Sequence, residues 1–268
     1  MAVHFQIPKI KSFAFSFLLV FGIFYFPNFL FSEESQVPDE SELENLVSKE
    51  EFNTQSFLDA KKILKRIYKN GGEEFYCGCS FTKEKRKFLL DTSSCGLESR
   101  NDPIRFDRIE WEHVVPAHAF GNSRTCWREK LCTKNGRSFK GRKCCVEIDP
   151  VFRAMEGDMH NLQPSAGELN KDRNVYSFGI VEGEPREYGA CDFELDRSTN
   201  TVEPREEIRG VIARTYFYME DRYKVRISDQ KRKLFTAWDK QFPASDWEKK
   251  RNRLIAKHQG NKNSFIPE

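Results

Sequence analysis

Eight cysteines constrain this 268-residue chain more than any other feature. They are Cys77, Cys79, Cys95, Cys126, Cys132, Cys144, Cys145 and Cys191, an even set that lies wholly downstream of an apolar N-terminal run. That run, Phe13 to Phe31, follows Lys9 and Lys11 and ends at Ser32-Glu33-Glu34. A positive start, an apolar middle and a polar exit spell a secretory signal over residues 1–32. A membrane anchor is the rival, since about 20 apolar residues span a bilayer. Pro27 and Asn28 interrupt the run and favour the signal. Export, to a periplasm or the medium, places the thiols where disulfides persist, so up to four bridges are expected. Their pairing is left open. Neither Cys77-x-Cys79 nor Cys144-Cys145 has zinc-site spacing.

The net charge of +3 says little, but its distribution says more. Between Ser32 and Asn53 stand eight acids and one Lys, with Pro and Ser mixed in. Residues 33–53 therefore read as an acidic, disordered linker. Between Phe120 and Cys145 eight Lys/Arg face one Glu, and between Arg222 and Lys262 thirteen face four acids. Such blocks are the footprint of a polyanion partner, although surface cations on a helix also do no more than solvate it.

Apolar positions Phe57, Leu58, Ile63, Leu64, Ile67 and Tyr68 recur near a 3.6-residue period. This predicts a helix over 54–69, stopped by Asn70-Gly71-Gly72. Residues 73–108 read as short strands and loops. Residues 109–116 read as a strand, 120–145 as a long basic loop pinned by disulfides, and 146–155 as a second strand. Ser165 is the expected N-cap of a helix whose Glu168 closes a capping box. Pro204, Ser228 and Ser245 each open a C-terminal helix. The expected class is α+β, mainly helical, with one domain over 54–268.

Of the five His, His4 lies in the signal and His258 near an exposed end, which leaves His113, His118 and His160. Glu112 and His113 are adjacent, and strand neighbours normally point to opposite faces. A strand that ends or bulges at His113 lets both reach one cleft. Counting from Ser165, Asn170 falls at the fifth helical position and can aim its amide across that cleft. A strand, a long loop, a strand and a helix carrying Asn make a ββα unit over about 109–176.

The residues Arg108-Ile-Glu-Trp-Glu-His-Val-Val-Pro-Ala117, Gly141-Arg-Lys143, Asp158-Met-His-Asn-Leu162 and Gly167-Glu-Leu-Asn-Lys-Asp-Arg173 carry a resemblance. So do Phe120-Gly121, Cys126-Trp127, residues 205–219 and residues 255–261. The sequence resembles the bacterial endonuclease I family, secreted or periplasmic non-specific nucleases of the ββα-metal superfamily, from about Ser56 to Phe265. The resemblance implies that His113 is the general base, that Glu112 and Asn170 ligate a divalent ion, and that Arg142 stabilises charge on the phosphate. Glu156 matches a family acid near the site. Arg128, Lys143, Asn161 and Arg173 are the implied substrate contacts. The implied cofactor is Mg²⁺, with Ca²⁺ or Mn²⁺ as substitutes. The implied partners are DNA and RNA, held through phosphates without sequence preference, by a monomer with no stable protein partner. The implied products carry 5′-phosphates. The chain departs from the family around Lys134 to Phe139 and at Lys249, where relatives often have Cys. Two rivals remain: a zinc hydrolase built on His113, His118 and His160, for which no HExxH exists, and a secreted nucleic-acid binder without activity.

Overall fold

A five-residue antiparallel ribbon and the helix after it position everything that follows. In the computed structural model, which describes residues 56–183 and 185–268, strand β4 (Ile109–His113) pairs with β7 (Leu162–Ala166), and helix α6 (Gly167–Arg173) leaves directly from the end of β7. The expected signal and acidic linker lie outside the described residues. The ribbon register runs unbroken from Ile109↔Ala166 to His113↔Leu162. The strand ends at His113 as expected, without a bulge, and the pleat sends Glu112 and His113 to opposite sides.

Before the ribbon come α1 (Phe57–Ile67) and a small antiparallel sheet of β1 (Gly72–Glu73), β2 (Ser80–Glu84) and β3 (Lys87–Leu90). Ser56 caps α1 by accepting from the Asp59 amide at 3.2 Å, which satisfies one of the donors a helix start leaves unpaired. Between β4 and β7 the chain is not a plain loop. It forms α2 (Ala117–Gly121), α3 (Thr125–Arg128), the hairpin β5 (Cys132–Lys134) and β6 (Arg137–Phe139), then α4 (Arg142–Ile148) and α5 (Pro150–Gly157). Residues 146–155 are thus helical, not a second strand. Asp149 explains the change: its carboxylate caps α5 through the Phe152 amide at 2.9 Å, and Pro150 fills the first helical position, where a missing N–H does no harm. The real second strand is Leu162–Ala166, and it contains Pro164. Pro164 is tolerated because its nitrogen faces away from β4, on the outer edge where its carbonyl accepts from the Phe75 amide.

The remaining elements are β8 (Ser177–Phe178), β9 (Phe193–Asp196), β10 (Thr201–Pro204), α7 (Glu206–Tyr223), α8 (Asp229–Gln241) and α9 (Asp246–Gln259). Pro204 ends a strand and does not open α7, whose cap is Arg205. Ser228 and Ser245 cap α8 and α9 as the sequence predicts. Helix α7 joins two apolar clusters. Ile212 and Ala213 pack with Tyr76, Phe178, Phe193 and Trp238. Tyr218 and Met219 pack with Phe120, Phe152 and Met155. A third cluster gathers Leu64, Tyr68, Trp111, Leu162 and Ile255 around the ribbon.

All eight cysteines are bridged, as Cys77–Cys191, Cys79–Cys95, Cys126–Cys145 and Cys132–Cys144. The last two tie α3 and the start of β5 to α4. Each bridge contributes on the order of 2–4 kcal/mol by restricting the unfolded chain.

His160 is a packed core residue. Its Nε2 lies 3.0 Å from the Asn261 carbonyl and its ring meets Tyr218 edge-on. Burial holds its pKa below the ordinary 6.5, helped by Arg251 and Arg222 and opposed by Asp158 and the Asn261 carbonyl. The unfolded chain therefore takes up a proton that the folded chain refuses. The stability this group supports is complete above about 6.5 and is lost as pH falls below it. Unfolding free energies from urea titrations between pH 7 and 5 should fall less steeply for His160→Gln, by up to about 1.4 kcal/mol per pH unit. Parallel curves for the variant and the parent protein would refute this.

Candidate active site

A cleft of about 1030 Å³ opens over the end of β4, walled by α1, α2, α4 and α6. Glu112, His113, Arg142 and Asn170 all border it. The two adjacent residues of β4 reach it from opposite sides of the strand.

The Glu112 carboxylate is 3 % exposed. Its Oε1 accepts from Tyr76 Oη at 2.7 Å and from Arg173 Nη1 at 2.9 Å. Oε2 has no hydrogen-bond partner among the described residues, which leaves it open to a cation. Burial pushes the Glu112 pKa up, and the charges and hydrogen bonds of Arg173 and Tyr76 pull it back. The Tyr76 phenol is itself pushed up by burial and by the carboxylate it serves, so it remains a donor.

On the other side, the His113 ring sits 5.0 Å from Phe57 and 6.3 Å from Phe120. Its Nε2 is 2.9 Å from the main-chain oxygen of Glu156. A carbonyl only accepts, so Nε2 carries the proton and Nδ1 is left as the basic nitrogen. Burial is the largest cause that holds the imidazole down, at about 3, followed by the Arg142 charge. Glu156 also holds Arg142, whose Nε donates to Oε1 at 2.6 Å. One residue thus holds both the imidazole and the guanidinium, and Glu156 does not itself border the cleft. Gly141, at φ 85°, adopts the left-handed backbone that starts α4 with Arg142 as its first residue.

Asn170 stands on the fourth residue of α6, one earlier than expected, because β7 stays paired to Ala166 and Ala166 takes the cap position. Ser165 is inside the strand, so the predicted capping box does not form. Glu168 instead accepts from Ser99 Oγ and from the amides of Arg100, Asn101 and Asp102. Gly167 allows the tight turn: a Cβ there would lie 2.7 Å from the Arg105 carbonyl and 2.8 Å from Glu110 Oε1. Asn170 Nδ2 donates to Glu110 Oε2 at 3.0 Å, and Arg105 forks onto the same carboxylate. With its amide nitrogen fixed, Asn170 turns Oδ1 free of any hydrogen bond among the described residues. A free carboxylate oxygen and a free amide oxygen are hard donors, so this pair fits a small divalent cation that keeps most of its water.

Two expected substrate contacts are enclosed. Asn161 is fully buried, with Oδ1 on the Val115 amide and Nδ2 on the Val115 carbonyl. Arg173 is 1 % exposed and binds Glu112, the His113 carbonyl and the Val114 carbonyl. Both splint the end of β4; Asn161 does not border the cleft, whereas Arg173 borders it with its Nη1 and Nη2 committed to these acceptors. Arg128 and Lys143 are exposed on α3 and α4 but are not among the residues bordering the cleft. His118 lies on the cleft rim against Trp127. His113, His118 and His160 do not converge. Among the described residues the one grouping with metal-ligand density is Cys77, Cys79 and Cys95, all in disulfides.

The sequence reading passes over α1. Leu58, Lys61, Lys62 and Lys65 follow an i, i+3, i+4, i+7 stripe and border the cleft together. The opposite stripe, Ala60 and Leu64, is buried. Phe57, between them, braces both the His113 ring and the Arg142 guanidinium, which lies 5.7 Å from its centroid.

A sequence model of the family described as Endonuclease I matches residues 41–268, beginning inside the acidic stretch that the resemblance leaves out. The chain is 42 % identical over 212 residues to Endonuclease-1 of Buchnera aphidicola subsp. Acyrthosiphon pisum (strain APS), covering 79 % of this chain and 80 % of that protein. It is 45 % identical over 216 residues to an extracellular deoxyribonuclease of Aeromonas hydrophila, covering 80 % and 90 %. It is 45 % identical over 213 residues to a periplasmic deoxyribonuclease of the same species, covering 79 % and 85 %. The family model spans the ribbon, the cleft and the C-terminal helices, and with relatives of this identity and coverage it makes the chain a member of the Endonuclease I family.

Proposed function

We propose that this chain is an exported, sequence-independent endonuclease that hydrolyses phosphodiester bonds of DNA, and of RNA, leaving 5′-phosphate ends. The observation that carries the reading is the tautomer of His113: with Nε2–H committed to the Glu156 carbonyl, Nδ1 is an unprotonated base at a cleft walled by cations. In the reaction, a water oxygen attacks phosphorus and gives its proton to Nδ1. The P–O3′ bond breaks, and the 3′-oxygen takes a proton from solvent. Arg142 offers its remaining N–H groups to the non-bridging oxygens, a task its planar fork suits. Glu112 and Asn170 are the residues that would hold Mg²⁺, or Ca²⁺ or Mn²⁺ in its place. A bound ion there supplies Lewis-acid polarisation of the phosphate and charge neutralisation at the leaving oxygen. The α1 lysines border the cleft with one sign of charge and no base-reading geometry, which favours phosphate contacts over sequence readout. The four disulfides, and relatives named as extracellular and periplasmic deoxyribonucleases, support an exported location.

The test is digestion of supercoiled plasmid and of structured RNA by the oxidised protein. EDTA should abolish cleavage of both, and Mg²⁺ in excess should restore it where Zn²⁺ does not. Cleavage at an undiminished rate in EDTA would exclude the metal. Restoration by Zn²⁺ alone would favour a zinc hydrolase.

A further inference from the structure

The C-terminal basic block, Arg222 to Lys262, is not used by the catalytic cleft. Part of it forms a second groove of about 470 Å³, between the C-terminal end of α1 and the face of α9. Arg66 and Lys69 come from the α1 side, and Trp247, Lys250 and His258 from α9. Trp247 is 41 % exposed, an unusual outlay of aromatic surface. It is also rigidly held. Ser245 caps α9 just before it, and the ring meets buried Tyr68 edge-on at 5.3 Å. Lys250 Nζ lies 6.0 Å from the indole centroid.

The charge around this ring is one-sided. No carboxylate borders the groove, and among the described residues Arg66, Lys69 and Lys250 have no acidic partner. Three unpaired cations around a fixed, exposed indole combine a phosphate track with a stacking platform, the two features by which proteins hold single-stranded nucleic acid. Helix α1 is shared: its 58/61/62/65 stripe faces the catalytic cleft while Arg66 and Lys69 face this groove.

We propose that the groove is a second nucleic-acid site, one that binds a single-stranded stretch of the substrate away from the bond being cut. A base stacks on Trp247 and the flanking phosphates lie on Arg66, Lys69 and Lys250. The assignment rests on the nuclease reading and extends it: strands frayed or already nicked are held while the catalytic cleft works elsewhere on the polymer.

The test uses full-length His113→Ala protein in EDTA, so that binding is read without cleavage. The probe is a fluorescein-labelled thymidylate 12-mer, followed by anisotropy over a salt series. Trp247→Ala should weaken binding by roughly 5- to 100-fold, and Trp247→Phe should retain most of it. The triple variant Arg66→Ala, Lys69→Ala, Lys250→Ala should flatten the log–log salt slope by about 2. In the active enzyme, Trp247→Ala should raise KM on long single strands and leave kcat unchanged. Circular dichroism on each variant confirms that it folds. Unchanged affinity and slope in both groove variants, with the parent binding normally, overturn the second site alone. Loss of binding to phosphatidylglycerol vesicles but not to the oligonucleotide overturns it in favour of a membrane surface. A parent protein that binds no oligonucleotide overturns both readings together.

Discussion

Replacing His113 with alanine should lower the rate of plasmid nicking by about 10²- to 10⁴-fold, the range by which a positioned general base accelerates such a step. The ring has one committed nitrogen and one free one, so no neighbour can substitute for Nδ1. His118 and His160 are separated from it by their own packing, the first against Trp127 and the second against Tyr218 and the Asn261 carbonyl. The loss should fall on kcat, because the cations that bind phosphate are untouched. Alanine leaves a hole beside Phe57 and Phe120. Added imidazole should enter it and restore part of the rate, which a purely structural role for His113 would not allow. A variant that cuts within tenfold of the parent rate, with an unchanged circular-dichroism spectrum, would move the base elsewhere.

What could be read in the sequence was the chemistry carried by neighbours in the chain. Ser228 and Ser245 cap helices through amides three residues on, so their meaning is local; Ser56 caps in the same way but stands inside the helix the sequence predicts. The adjacent pair Glu112 and His113 needed only a strand beneath it. The Asn135-Gly136 turn was missed: both residues take positive φ, at 51° and 72°, as in a two-residue hairpin, but its strands are only three residues long and the stretch reads as loop.

What failed depended on partners far away. Leu162–Ala166 holds Gln163, Pro164 and Ser165 and looks like a turn, but all five residues are buried. The strand is secured by Glu74, whose buried carboxylate takes the Ala166 amide 92 residues later. Ser165 carries the pattern of a cap, and the ribbon overrides it. Arg173 shows the same limit at the site. An Arg closing the Gly167–Arg173 stretch that carries the family resemblance suggests a phosphate contact. Only the packing of α6 on β4 reveals that its partners are a carboxylate and two carbonyls of the catalytic strand.

That enclosure makes Arg173 the position with the largest expected effect on stability. Its guanidinium, 4.6 Å from the Phe178 centroid, is the counter-charge of a Glu112 carboxylate that is itself almost fully enclosed. Arg173→Met keeps the volume but strands that carboxylate and leaves the His113 and Val114 carbonyls without their donor. Breaking one side of a buried pair costs about 3–5 kcal/mol, so the variant should lose that much in urea or guanidinium unfolding at pH 7. Glu112→Gln in the same background removes the uncompensated charge, and the double variant should recover part of the loss. Arg173→Lys keeps a cation but cannot reach three acceptors as a planar fork does, so it should fall between. The cycle separates electrostatic support from simple packing. If Arg173→Met is as stable with Glu112 as with Gln in its place, the pair is not coupled, and the carboxylate is held by Tyr76 alone. A coupling of several kcal/mol would mean that the Glu112 carboxylate is kept charged and aimed by Arg173 from within the fold, just as the His113 ring is held by the Glu156 carbonyl.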